Sequence, residues 1–319
     1  MNRKNSILTN RPTTIKVFTL ENFPVYMGCV DTKYEEDKYM DLTFSICTET
    51  GIIQINKFPT LDLLYITPHN DAVGNVWNNL FDNIVKSVKS CIGSRKTNII
   101  EIGGGNGILA KKINMLENIS SYTMYEPNCS DDSYTNTSKN IILHKSYFTE
   151  NVKFKVEPDV VIHSHVLEHV WDPIEFIKDL KSKIKNDTYH IFAVPNLYQT
   201  FSKKFGNSLN FEHTFFITEK IIDIILANNG FNIENKYKYL DHSIVYTTLY
   251  HDKYIIPTKY INSYEEYKKL VVEFETYYRN IVTEINKKMD TYSGKIYLYG
   301  GHIFSQYLIK FGLNTRKIL

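Results

Sequence analysis

Cysteine is scarce and unpatterned: Cys29, Cys47, Cys91 and Cys129 contain no C-x-x-C pair. Such spacing excludes a disulfide framework and gives no zinc signature. Long apolar runs are missing too, and no run approaches the length of a membrane span. The basic start, Met1-Asn2-Arg3-Lys4-Asn5-Ser6, leads into no apolar segment of the kind a secretion signal needs. Charge of one sign is not in excess, since 37 basic residues face 35 acidic ones without a basic block or acidic tail. That balance argues against a nucleic-acid partner. The expectation is a reduced, soluble, cytoplasmic protein whose partners are small molecules rather than nucleic acid or membrane. Internal repeats and low-complexity linkers are also absent, and 319 residues are enough for two or three domains.

What is present falls into three textures. Residues 1–75 carry short β-like runs, Thr14–Leu20 and Gly51–Ile55, broken by polar turns. Over 76–250, strand-like and helix-like segments alternate, the pattern of a parallel sheet covered by helices. Val76–Ser90 opens this stretch as a helix with Leu80, Ile84 and Val88 on one stripe. Strands are expected at Asn98–Ile102, Tyr122–Tyr125, Ile141–Leu143, Val160–Ser164, His190–Val194, Asn232–Leu240 and Ile244–Leu249. Helices are expected at Gly107–Leu116, Pro173–Ile184 and Thr218–Asn229, the last stopped by Gly230. Over 251–319, a long helix Tyr264–Met289 with Leu270, Phe274, Ile281 and Ile285 on one face precedes a strand Lys295–Tyr299, Gly300-Gly301 and a helix Ile303–Lys310.

The most informative segment is Glu101-Ile102-Gly103-Gly104-Gly105-Asn106-Gly107, directly after an apolar strand. Glycines at a strand-to-helix turn let the backbone approach a ligand where a Cβ would clash. Counted from Gly105, the run Gly105-Asn106-Gly107-Ile108-Leu109-Ala110 also fits a dinucleotide pattern ending in alanine, so spacing alone leaves that ligand open. Glu101 tips the balance. A carboxylate two places before the first glycine can pair with the amino group of a methionine-like ligand, whereas it sits badly beside a pyrophosphate. Glu126, after the next strand, can accept both hydroxyls of a ribose. A third part is Asp159–His169, where the fourth strand runs into Val166-Leu167-Glu168-His169.

Glu101–Gly107, Glu126-Pro127 and Val166–His169 followed by Asp172-Pro173 resemble the class I S-adenosylmethionine-dependent methyltransferases. The resemblance implies an α/β fold with a seven-stranded Rossmann-like sheet whose last strand is antiparallel, and S-adenosylmethionine as cofactor, released as S-adenosylhomocysteine. It also implies that Glu101, Gly103 and Gly105 surround the methionine part, that Glu126-Pro127 meets the ribose, that Ser146 and Tyr147 hold the adenine, and that Ser164 and His165 line the cofactor. Asp62–Val76, with Leu64-Tyr65 and His69-Asn70, and Phe211-Glu212-His213 with Phe215-Phe216, look like the sugar C-methyltransferases that act on nucleotide-linked deoxysugars. Those enzymes join a small zinc-binding N-terminal domain, a cofactor domain and a C-terminal Rossmann-like domain. The expected substrate is accordingly a nucleotide-linked sugar or other surface-polysaccharide precursor.

A carbon nucleophile needs a base near neutral pH, and a histidine suits that task. His213 is the candidate, with Glu212 shaping the substrate side and His169 and His69 as further candidates. Departures from the family are specific. Asn210 and Pro68 stand where it carries two tyrosines, so O- or N-methylation of another phosphorylated small molecule competes, as does a silent cofactor-binding module. The family's zinc thiolates map onto Ser6, Thr9, Cys47 and Thr50, so no metal is expected. The C-terminal stretch amounts to one βα unit, which cannot cover both faces of a parallel strand. It predicts a chain shortened from a longer protein.

Overall fold

The computed structural model describes residues 2–26, 33, 36–64, 74–129, 141–206, 208–300 and 303–319. The chain forms two compact units, each stitched from separate stretches. One comprises Met1–Ile66, Leu197–Ile217 and Ile261–Leu319; the other comprises Thr67–Asn196 and Thr218–Tyr260.

The first unit is built on an antiparallel sheet of β1 (Thr14–Pro24), β2 (Tyr39–Cys47), β3 (Ile53–Ile55) and the two-residue β9 (Phe215–Phe216), in that order. Alternation along β2 sends Leu42, Phe44 and Ile46 to one fully buried face. Helix α1 (Leu61–Leu64) follows β3, and α5 (Leu197–Ser202) precedes β9. Helix α7 (Tyr264–Thr291) packs against β1, β2 and α5, and α8 (Ile303–Lys310) against β1 and α7. The buried seam of α7 is Tyr267, Val271, Phe274, Tyr278, Val282 and Met289. Leu270, Ile281 and Ile285 flank that seam, half-buried, instead of forming it. The strand expected at Lys295–Tyr299 does not form among the described residues, where the segment joins no ladder and Tyr297 and Tyr299 are exposed. The Leu319 N–H donates to the Ile296 carbonyl at 2.9 Å, but the contact does not extend into a ladder.

The second unit contains the seven-stranded sheet, with β4 (Thr97–Ile102), β5 (Ile119–Tyr125), β6 (Ile141–His144), β7 (Val160–Ser164), β8 (Tyr189–Pro195), β10 (Phe231–Tyr239) and β11 (Ser243–Tyr250). Their spatial order is β10-β11-β8-β7-β4-β5-β6. Neighbours from β8 to β6 pair in parallel, while β11 is antiparallel to both β8 and β10. The last strand alone therefore runs against the rest. Helices α2 (Asn75–Ile92), α3 (Ile108–Asn114), α4 (Pro173–Ser182) and α6 (Glu219–Asn229) complete the unit. The core joins Leu80, Ile84 and Val88 of α2 to Ile99, Tyr122, Val160 and Ile191 of the sheet. Asp172 starts α4 by accepting hydrogen bonds from the Ile174 and Glu175 N–H groups, with Pro173 at the first helical position. Gly230 ends α6 in the left-handed conformation at φ 85°.

Candidate functional site

In a parallel sheet all strands end at one edge, and ligands bind in the crevice there. β4 ends at Ile102, β5 at Tyr125, β6 at His144 and β7 at Ser164. Gly103–Gly107, Glu126-Pro127, Ser146, Tyr147, Ser164 and His165 therefore follow directly from that common edge, although they are scattered over more than sixty positions of sequence.

The glycine turn is built for close approach. Its backbone is anchored by the Gly103 N–H on the Tyr125 carbonyl (2.8 Å), which ties it to the next strand. Gly103 has φ 71°, and a Cβ there would lie 2.4 Å from Cγ2 of Val166. Beneath the turn, Glu101 is almost fully buried, and its Oε2 accepts a 2.8 Å bond from the Tyr122 hydroxyl. Burial pushes the Glu101 carboxyl up to about 7; the Tyr122 bond opposes that rise, and the nearby Glu126 charge adds to it. Glu126 uses both oxygens on backbone donors: Oε2 accepts from Gly105 N–H and Oε1 from Asn128 N–H, each at 2.9 Å. This carboxylate therefore holds the glycine turn and its own loop together, with lone pairs left for hydroxyl donors.

Farther along the edge, the Glu126 N–H and the Ser146 N–H both donate to the His144 carbonyl. The His144 ring stacks on Tyr125 at 4.9 Å between centroids. Ser146 and Tyr147 are exposed and Pro127 is half-buried. His165 takes a left-handed backbone at φ 56°, uncommon for a residue with a side chain. Its Nδ1 lies 3.1 Å from the Ser164 hydroxyl and its Nε2 lies 3.0 Å from the Ser243 hydroxyl. Trp77 of α2 meets the His165 ring edge-to-face at 4.6 Å and His242 likewise at 4.8 Å. Tyr122, Trp77, His242 and Ser243 are the neighbours that sequence reading missed. Nothing in the residue pattern marks out any of the four.

The other candidates are placed as follows. His169 closes the short turn Leu167–His169, and its Nε2 lies 3.8 Å from Oε1 of the buried Glu168. In the other unit, Asn210 Oδ1 accepts from the backbone N–H groups of Glu212 (2.9 Å) and His213 (3.3 Å). Where the sugar enzymes carry a phenol, Asn210 thus shapes the loop. Burial pushes the His213 ring down to about 4, a shift that a hydrogen bond donated by the ring to the Ser208 backbone opposes. His69 lies outside the described residues. Around Cys47, burial raises the thiol, but contacts with the Ser6, Thr13 and Thr50 hydroxyls and the Glu49 backbone outweigh it and lower the pKa. Of these three, Ser6 and Thr50 stand at positions the resemblance aligned with thiolates.

Residues 76–236 match the family described as methyltransferase domain. Many solved structures share the fold at low identity. The N-methyltransferase NodS from Bradyrhizobium japonicum, in complex with S-adenosylhomocysteine, is 11% identical, covers 59% of this chain and 96% of its own, and superposes with a TM-score of 0.45. The 1,6-didemethyltoxoflavin-N1-methyltransferase from Burkholderia thailandensis is 12% identical, over 56% of this chain and 82% of its own, with a TM-score of 0.45. A methyltransferase from Aquifex aeolicus is 13% identical, over 53% of this chain and 90% of its own, with a TM-score of 0.42. No curated protein sequence matches the chain. Among the described residues no helix is long and apolar enough to cross a membrane. With a glycine turn after the first strand, an acid after the second and the last strand antiparallel, the chain belongs to the class I S-adenosylmethionine-dependent methyltransferases.

Proposed function

We propose that this methyltransferase acts on a nucleotide-linked sugar or another surface-polysaccharide precursor, with His213 as general base. The cofactor supplies an electrophilic methyl group when bound, and methyl transfer from a sulfonium is an in-line displacement in which positioning and desolvation provide much of the rate. In this reading Glu126 accepts the two ribose hydroxyls and Glu101 pairs with the amino group of the methionine part. Gly103 and Gly105 let the ligand lie against the backbone, while Ser146 and Tyr147 flank the adenine. Ser164 and His165 form the wall beyond the fourth strand.

The observation that supports His213 is its neutral, half-buried imidazole on a loop fixed by Asn210, with Arg3 Nη1 donating to the adjoining Thr214 carbonyl at 2.9 Å. With its pKa lowered to about 4, the ring is unprotonated at neutral pH and a weaker base than a free histidine, so in this reading the bound acceptor must stabilise the imidazolium for the proton to move. Glu212 stands beside it as the residue that orients a substrate hydroxyl, and His169 is the alternative base. A second reading, O- or N-methylation of another phosphorylated small molecule, is favoured by Asn210, whose amide oxygen is spent on backbone instead of offering a phenol to a keto-sugar.

Incubation with S-adenosylmethionine and panels of nucleotide sugars and sugar phosphates, read as a one-methyl mass gain, separates the readings. Turnover confined to nucleotide sugars and lost in His213→Gln is the expected result. Turnover only on sugar phosphates or other phosphorylated small molecules hands the site to the second reading. Cofactor binding with no turnover on any panel overturns both and points to a silent binding module.

A further inference from the structure

Among the described residues that carry a side chain and a positive φ, His165, at φ 56°, is the one that follows a parallel strand at the cofactor edge. Glycine adopts this conformation freely; for other residues it persists only where the surroundings over-determine it, often at a functional site. Here the surroundings act on both backbone and ring. The His165 N–H still continues the β7–β8 ladder, donating to the Ala193 carbonyl at 2.8 Å, while the chain beyond it leaves the sheet.

The ring is held from β11. Its Nε2 meets the hydroxyl of the fully buried Ser243, and that same hydroxyl lies 2.6 Å from Nδ1 of His242. A hydroxyl carries one proton, so between two neutral rings it donates to one and accepts from the other. The direction taken at His242 therefore fixes the tautomer of His165, and the Ser164 hydroxyl at His165 Nδ1 takes the complementary role. The anchor is part of the sheet: Ser243 lies opposite Pro195 of β8, and the Asn196 N–H donates to the His242 carbonyl at 2.9 Å. Trp77 closes the cluster, edge-to-face on both rings.

The consequence lies one residue further along. Val166 follows His165 directly, and its Cγ2 fills the space that a Cβ on Gly103 would need. Val166 thus forms a wall of the glycine turn, and the backbone at His165 decides where that wall stands. We propose that Ser243 and His242 are positioning residues for the cofactor site. They hold the His165 ring in one tautomer and one orientation, which keeps its backbone left-handed and Val166 against the glycine turn. The proposal rests on the reading of this edge as the S-adenosylmethionine site and involves none of the groups assigned to the methyl acceptor.

Isotope-edited nitrogen NMR of the histidines and calorimetry with S-adenosylhomocysteine test it. In the ligand-free protein at about pH 8, where both rings are neutral, His165 should show a single tautomer in wild type and an averaged mixture in Ser243→Ala. The affinity of Ser243→Ala for S-adenosylhomocysteine should be about tenfold weaker, the scale of one lost buried hydrogen bond. A glycine at 165 needs no ring to hold φ, so adding Ser243→Ala to His165→Gly should change the affinity by less than about twofold. His242→Phe, which keeps a ring on Trp77 and removes Nδ1, should reproduce the mixed tautomer and stands in if Ser243→Ala does not fold. A single His165 tautomer in Ser243→Ala and His242→Phe, or additive losses in the His165→Gly and Ser243→Ala pair, overturns the proposal. Wild type that binds no S-adenosylhomocysteine removes the cofactor reading beneath it. Binding that is lost in Glu126→Ala but unchanged in Ser243→Ala removes this proposal alone.

Discussion

Replacing Glu101 by Gln tests the electrostatics beneath the glycine turn. Glu101 is 2% exposed and its carboxyl is raised from 4.5 to about 7, chiefly by burial. A folded-state pKa above the unfolded one means the folded chain holds the proton more tightly. That stability is fully present below about pH 4.5 and is lost as pH rises through about 7. The difference of about 2.5 units corresponds to about 3 kcal/mol at 1.36 kcal/mol per unit. Gln keeps an acceptor for the Tyr122 hydroxyl but does not titrate. Near pH 5 variant and wild type should therefore unfold alike, while near pH 8 the variant should be more stable by up to about 3 kcal/mol. The same variant should bind S-adenosylmethionine more weakly, because the ammonium loses its charged partner. Urea unfolding followed by tryptophan fluorescence suits the question, since both tryptophans, Trp77 and Trp171, belong to the unit that contains Glu101. Parallel pH dependence in the two proteins would refute the reasoning.

Two further outcomes follow from the same unit. His163 and His190 are fully buried, with Nε2 atoms 2.9 Å apart, and desolvation drives His163 down to about 3 and His190 well below its usual value. Because the unfolded chain takes up these protons first, stability should fall as pH drops below about 6.5, by about 1.4 kcal/mol per pH unit for each ring. The double substitution to Phe, in a pocket already lined by Phe176, Phe192 and Phe231, should flatten that acid limb in urea midpoints; an unchanged limb contradicts the assignment. Gly103→Ala should destabilise the unit by about 1–2 kcal/mol from the left-handed backbone alone. It should also weaken cofactor binding, since the new Cβ displaces Val166. Wild-type thermal stability and affinity in this variant would show that the turn tolerates a side chain.

The seven strands and the glycine turn were legible because each is a local pattern: a short apolar run, then residues whose backbone needs are known. Legible too was the convergence of Glu101, Glu126 and Ser164, since parallel strands end at one edge. What stayed hidden depends on partners distant in sequence. Phe215-Phe216 carried a family likeness but no strand expectation, because the strand exists only where Ile53 and Gln54 supply its partner. Lys295–Tyr299 has strand composition, yet among the described residues it joins no ladder. The left-handed His165 and its edge-to-face contact with Trp77 left no mark, because nothing in the residue types announces a strained backbone or a contact across about ninety positions.

The most direct test of the account is calorimetry of S-adenosylhomocysteine with wild type and Glu126→Ala. Loss of two charge-assisted ribose bonds, each about 1.5–3 kcal/mol, predicts an affinity at least about a hundredfold weaker. Unchanged affinity in the variant, or tighter wild-type binding of a nicotinamide dinucleotide than of S-adenosylhomocysteine, would contradict it.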